Sequence, residues 1–98
     1  AHSRGRRDYV LARLREIGFD VVEPDGAFYV FPSIEKFGMS SDEFCTRLIA
    51  EKGVALVPGS CFAAEGFVRL SYCCSMENLE EGLNRLAAFV QTLEQHSV

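Results

Sequence analysis

VALVPGSCFAAEGFVRLSY, residues Val54–Tyr72, holds two short apolar runs joined by a Pro-Gly-Ser loop, with one arginine, Arg69, set into the second run. In that run Val68, Leu70 and Tyr72 alternate with Phe67, Arg69, Ser71 and Cys73. Side chains two apart share a face of a strand, so Arg69 is expected to point away from the Val68–Leu70–Tyr72 face. A guanidinium does not give up its charge in a protein and therefore needs an anion or water in front of it. A substrate carboxylate is the anion favoured here. From spacing alone, a structural salt bridge to an aspartate or glutamate fits equally well.

Upstream of this stretch, Val10, Leu14 and Ile17 recur at helical spacing over Gly5–Ile17, and Gly18 follows as a helix C-cap. Phe19–Val22 reads as a short strand, and Glu23-Pro24-Asp25-Gly26 as a tight reversal. Ala27–Phe31, AFYVF, has the composition of a strand covered on both faces, with Pro32 expected to end it because proline brings no amide to a ladder. Ser40-Ser41-Asp42-Glu43 predicts a capping box, with Phe44, Leu48 and Ile49 as the buried stripe of a second helix that Gly53 ends. Downstream, Ser75 is the expected N-cap of a helix with the stripe Leu79, Leu83, Leu86, Val90 and Leu93, and the tail Glu94–Val98 is expected to fray. The order α-ββ-α-ββ-α predicts an α/β (α+β) sandwich, a small mixed or antiparallel sheet covered by helices.

Hydrophobic residues make up 48% of the 98, enough for one core and one domain, residues 1–98. The apolar runs are far too short to span a membrane, and no secretory signal pattern opens the chain. A net charge of −4 argues against nucleic acid as the main partner, and Arg4, Arg6 and Arg7 read as the solvated start of a helix. Cys45, Cys61, Cys73 and Cys74 include no C-x-x-C pair and stand far from His2 and His96. Buried free thiols in a reducing cytoplasm are expected, with no zinc.

Catalytic chemistry finds little footing in these residues. Cys61 lies in a loop without a histidine near it in sequence, and is expected to be a plain packed cysteine. The two lysines, Lys36 in a polar loop and Lys52 beside Gly53, both lack the desolvated setting that a Schiff-base amine needs. Pro58-Gly59-Ser60 is a turn and not a G-x-G-x-x-G fingerprint. That leaves Arg69, beside a loop in which Gly59 and Gly66 would let a ligand approach the backbone.

Three motifs, D-G-A-F-Y-V-F-P-S-I (Asp25–Ile34), V-P-G-S-C-F (Val57–Phe62) and V-R-L-S-Y (Val68–Tyr72), in this order and spacing, resemble the C-terminal part of class I/II aminotransferases, the fold-type I enzymes dependent on pyridoxal phosphate. The resemblance covers nearly the whole chain. It is strongest to bacterial members acting on aspartate, aromatic or acetylated diaminopimelate-type substrates.

The resemblance implies that Arg69 clamps the substrate α-carboxylate. It places Ala27, Phe28, Ser60 and Phe62 near the cofactor side, as pocket-lining candidates. It also implies that the aldimine lysine, the aspartate on the pyridine nitrogen and the phosphate-binding residues lie upstream, in a large domain of the same polypeptide. The expected whole is a cytoplasmic homodimer exchanging an amino group between an amino acid and a 2-oxo acid, and the 98 residues alone are expected to be inactive. Cys61 departs from a usually small apolar position, and Ala63–Gly66 is shorter than the common loop. The rival reading from the residues is a free-standing amino-acid-binding or dimerisation module.

Overall fold

The computed structural model describes residues 2–22, 29–72 and 74–95. Helix α1 (His2–Ile17) stops where its glycine predicts: Gly18 takes φ +116°, and its amide donates to the Leu14 carbonyl at 3.1 Å. Strand β1 (Asp20–Val22) follows directly, and β2 (Tyr29–Ser33) pairs with it antiparallel, Val22 opposite Phe31 and Asp20 opposite Ser33. A 3-10 turn (Glu35–Phe37) leads into α2 (Ser41–Lys52). Ser40 caps this helix, its Oγ accepting the Glu43 amide at 3.1 Å, and Gly53 closes it at φ +70°. The crossover through α2 delivers β3 (Val57–Pro58) to the far edge. A second 3-10 turn (Gly59–Phe62) then reverses the chain into β4 (Val68–Ser71), which fills the slot between β2 and β3. The sheet order is β1-β2-β4-β3, with every neighbouring pair antiparallel. Helix α3 (Met76–Gln95) completes the chain, and Ser75 Oγ accepts the Asn78 amide at 3.1 Å as its cap.

The core lies between the sheet and the three helices. Val30, Pro32, Val68 and Leu70 turn one face of the sheet toward Val10 and Leu14 of α1, Phe44 and Leu48 of α2, and Leu79, Leu83, Leu86, Phe89, Val90 and Leu93 of α3. Phe44 sits at its centre, ring to ring with Phe19, Phe37 and Phe89 at 5.3–6.4 Å. Arg13 of α1 donates from Nη2 to Asn84 Oδ1 of α3 at 3.0 Å, tying these two helices together. None of the described helices is long and apolar enough to cross a membrane.

Four expectations need correcting. The described part of the AFYVF run, Tyr29–Phe31, is covered by helices on one face only, because all three helices pack on the Val30 side, and Ala27 and Phe28 lie outside the described residues. Pro32 does not end β2. It interrupts the ladder to β4 between Val30–Leu70 and the Ser33–Phe67 bridge, while pairing to Val21 of β1 holds the strand straight on through Ser33. Ile49 is 53% exposed, since Ser41, Phe44, Cys45 and Leu48 already fill the i, i+3, i+4, i+7 stripe of α2. Strand β3 is only two residues long, and Val54–Leu56 runs outside it. Of the fraying tail, Glu94 and Gln95 belong to α3 and residues 96–98 lie outside the described residues.

Candidate functional site

The face of the sheet turned away from the helices carries the chemistry. Strand pairing lines up one residue from each strand across it. Val22 of β1 faces Phe31 of β2, and Val57 of β3 faces Arg69 of β4. Carrying the register between the Val30–Leu70 pair and the Ser33–Phe67 bridge places Phe31 opposite Arg69. Directly opposed residues of an antiparallel pair point to the same side, so these four side chains form a row with the guanidinium inside it. Tyr29 shares the face, two residues along β2 from Phe31, opposite Ser71.

Arg69 lies between aromatic rings. Its Cζ stands 4.4 Å from the Tyr29 ring centroid and 5.7 Å from that of Phe62. Phe62 in turn meets Phe31 edge-on at 5.7 Å. Rings stacked beside a guanidinium attract its charge yet use none of its N–H donors. The Nε of Arg69 is buried with no hydrogen-bond partner, and none of the ion pairs among the described residues involves Arg69. Among the described residues, the structural salt bridge that spacing alone left open is therefore not formed. A half-buried arginine with donors to spare, in an apolar frame, is built to receive a planar anion.

The other expected site residues divide. Phe62 is brought to Arg69. Ser60 is held on the helix side, its hydroxyl donating to Asp42 Oδ1 at 2.8 Å and its amide to Ser41 Oγ at 3.2 Å. Ala27 and Phe28 lie outside the described residues. Tyr29 and Phe31 were not singled out from the sequence, although their alternation along AFYVF is the signal that puts both on the Arg69 face. Glu65 was missed as well. Its Oε2 accepts the amides of Ser41 at 2.8 Å and Gly66 at 2.9 Å, and its Oε1 accepts the Ser41 hydroxyl at 3.1 Å. The Ser41 and Gly66 amides pull its pKa below the usual glutamate value, against a smaller opposing effect of burial.

The cysteines divide too. Cys45 is buried, and desolvation, helped by Asp42 and Cys61, pushes its pKa up to about 11. Cys61 and Cys74 are exposed, which corrects the packed-thiol expectation for both: Cys61 is on the outside of the 3-10 turn, and Cys74 is beyond the end of β4. Cys73 lies outside the described residues. No group of three or more histidine, cysteine, aspartate or glutamate side chains able to hold a metal occurs among the described residues.

A sheet with helices on one face and an unpaired arginine on the other is the kind of platform that presents a small-anion site to whatever covers it. The sequence gives that platform a family: a model of class I and II aminotransferases matches residues 1–86, and the chain belongs to that family. Among particular relatives, it is 59% identical over 87 residues to the probable N-acetyl-LL-diaminopimelate aminotransferase of Bacillus subtilis (strain 168), a match covering 87% of this chain and 22% of that protein. Its fold is similar to the aromatic aminotransferase from Pyrococcus horikoshii OT3, with a TM-score of 0.90 at 41% identity over 94% of this chain and 25% of that one. It is also similar to the aspartate aminotransferase from Thermus thermophilus with maleate, with a TM-score of 0.81 at 45% identity over 88% of this chain and 22% of that one. The chain spans about a quarter of the length of these relatives.

The family implies pyridoxal phosphate, whose resident linkage needs a free lysine amine. Lys36 donates its amine to the Gly18 carbonyl and lies over the Phe37 ring, 5.4 Å from its centroid. Lys52 ends α2, where its charge complements the helix dipole. Neither fits the role of an imine-forming amine.

Proposed function

We propose that this chain is the small C-terminal domain of a cytoplasmic, homodimeric, pyridoxal-phosphate-dependent aminotransferase that exchanges an amino group between an amino acid and a 2-oxo acid. In this reading Arg69 binds the α-carboxylate common to both substrates. The observation that carries it is the Arg69 guanidinium, framed by Tyr29 and Phe62 with its buried Nε unpaired. A relative with the same fold holds maleate, a dicarboxylate, which supports carboxylate recognition. The cofactor supplies the electron sink for the chemistry from residues outside these 98.

Arg69 contributes position and charge. A two-pronged guanidinium–carboxylate contact is worth about 1.5–3 kcal/mol. That amount orients a small substrate but does not by itself bind it tightly, so the remainder comes from the surface that covers the open face. The rings beside Arg69 displace part of its hydration, and a surface closing over the open face would strengthen its pull on the carboxylate further. With the catalytic amine absent, the 98 residues alone have no aminotransferase activity.

The test is Arg69→Lys in the gene product that carries this chain. A lysine keeps the charge but loses the planar fork. KM for both the amino acid and the 2-oxo acid is expected to rise about 10- to 100-fold. Unchanged KM values for both substrates would reject the assignment. Amino-group transfer by the isolated 98 residues would reject the division of labour between domains.

A further inference from the structure

Between the carboxylate site and the start of α2 runs a chain of hydrogen bonds that the aminotransferase reading leaves unused. It begins at Glu65, whose Oε1 accepts the Ser41 hydroxyl at 3.1 Å while Oε2 accepts the Ser41 and Gly66 amides at 2.8 and 2.9 Å. Ser41 is fully buried, with its side chain shut inside this contact. With its O–H directed to Glu65, the Ser41 oxygen accepts the Ser60 amide at 3.2 Å. Ser60 stands in the 3-10 turn Gly59–Phe62, and two residues later the same turn places the Phe62 ring beside Arg69. The polarity of the chain is fixed at its far end. An ionised carboxylate can only accept, so the Ser41 proton must point at Glu65 and its lone pairs at Ser60.

A second hydrogen bond from the turn to α2 is that of the Ser60 hydroxyl on Asp42 Oδ1 at 2.8 Å. At its start the turn is tied to the sheet, Gly59 N–H donating to the carbonyl of Phe67, the bridge partner of Ser33, at 2.8 Å, while Ala64 N–H donates to the Gly59 carbonyl at 2.9 Å; the Ser60 contacts act on the part of the turn nearer Phe62. We infer that Glu65 is a positioning residue for the carboxylate site: acting through Ser41 and Ser60, it sets the 59–62 turn so that Phe62 walls in the Arg69 guanidinium. This rests on the assignment of Arg69 as the carboxylate-binding residue. Glu65 touches neither Arg69 nor substrate, and its effect is on the shape and dryness of the arginine's surroundings.

Glu65→Ala, Ser41→Ala and the double variant test this in the full gene product, with Arg69→Lys measured alongside and 2-oxoglutarate as the 2-oxo acid. Ser41→Ala is the sharper of the single changes. It keeps both backbone amides on Glu65, so α2 stays anchored, yet it cuts the relay to Ser60. Each single variant is expected to raise KM about 5- to 20-fold with kcat changed less than about twofold. The double variant is expected to lose no more than the worse single, because both act on one chain of bonds. If Glu65→Ala does not fold, Ser41→Ala decides alone. A rise in KM for Arg69→Lys with none for Ser41→Ala would overturn the positioning role and leave the Arg69 assignment standing. No rise for Arg69→Lys would remove that assignment and this inference with it. Additive losses in the double variant, or a lowered melting temperature with KM unchanged, would mark Glu65 as structural only and overturn the inference.

Discussion

Gly59 has no room for a side chain. A Cβ there would lie 1.9 Å from the Ala64 carbonyl oxygen and 2.5 Å from that of Phe67, both backbone atoms that cannot swing aside. Gly59→Ala is therefore expected to cost about 3 kcal/mol or more, read as a lowered urea midpoint, and to displace Phe62 from Arg69. Gly82 is the opposite case. It sits inside α3 with nothing within 4 Å of its missing Cβ. Gly82→Ala should stabilise by about 0.5–1 kcal/mol, and a destabilised variant would show that this face of α3 is covered in the full protein. Among the described cysteines, Cys45 keeps its proton at neutral pH, since burial raises its pKa to about 11. Thiol reagents at pH 7.5 should modify Cys61 and Cys74 in the folded chain and reach Cys45 only on unfolding, as peptide mass mapping would report.

Among the elements, α2 carries two separate anchors at its start, the Ser40 cap and the Glu65 carboxylate on the Ser41 amide. Ser40→Ala is expected to cost about 1 kcal/mol. Glu65 makes its contribution pH-dependent. Its folded pKa lies below the ordinary 4.5, so the unfolded chain takes up the proton first as pH falls. The stabilisation is complete above about pH 4.5, the unfolded value, and is lost as pH drops through the lower folded value. The urea-midpoint gap between wild type and Glu65→Ala should be smaller at pH 3 than at pH 6. A gap of the same size at both pH values would argue against the charged contact.

The capping serine of α2 was legible in the sequence because a cap is a local affair, four residues long. The Glu65 anchor was not, because 24 positions separate it from Ser41 and no local pattern marks a carboxylate that will meet a distant helix. The misjudged Ile49 has a related cause. A helical stripe leaves a choice between adjacent apolar positions, and it is the packing of Phe44 and Cys45 that settles which one is buried.

At the scale of the whole molecule, the arrangement leaves one face of the sheet without helices and puts Val22, Tyr29, Phe31 and Val57 there around a charged group. Val22 is 54% exposed and Tyr29 37%. An apolar surface of this kind around an arginine agrees with the proposal that a larger domain covers it. Under that proposal the gene product is expected to be about four times the length of this chain, since the relatives are matched over 22–25% of theirs. Intact mass from the source cells measures this directly, and a product of 98 residues would reject the proposed aminotransferase activity and turn attention to amino-acid binding at Arg69.

By itself the sequence determined the three helices, the Ser40 and Ser75 caps, the Gly18 and Gly53 stops, the strand alternation that turns Arg69 away from the core, and the family. All of these depend on neighbours within a turn or two of chain, or on motifs read in order. Only the tertiary structure decided that β4 lies between β2 and β3, that Tyr29 and Phe62 flank the guanidinium, and that Glu65 reaches Ser41. Those are contacts between residues far apart in sequence, and they come into being only when the core of Phe44, Val30 and Leu83 closes and brings the strands into register.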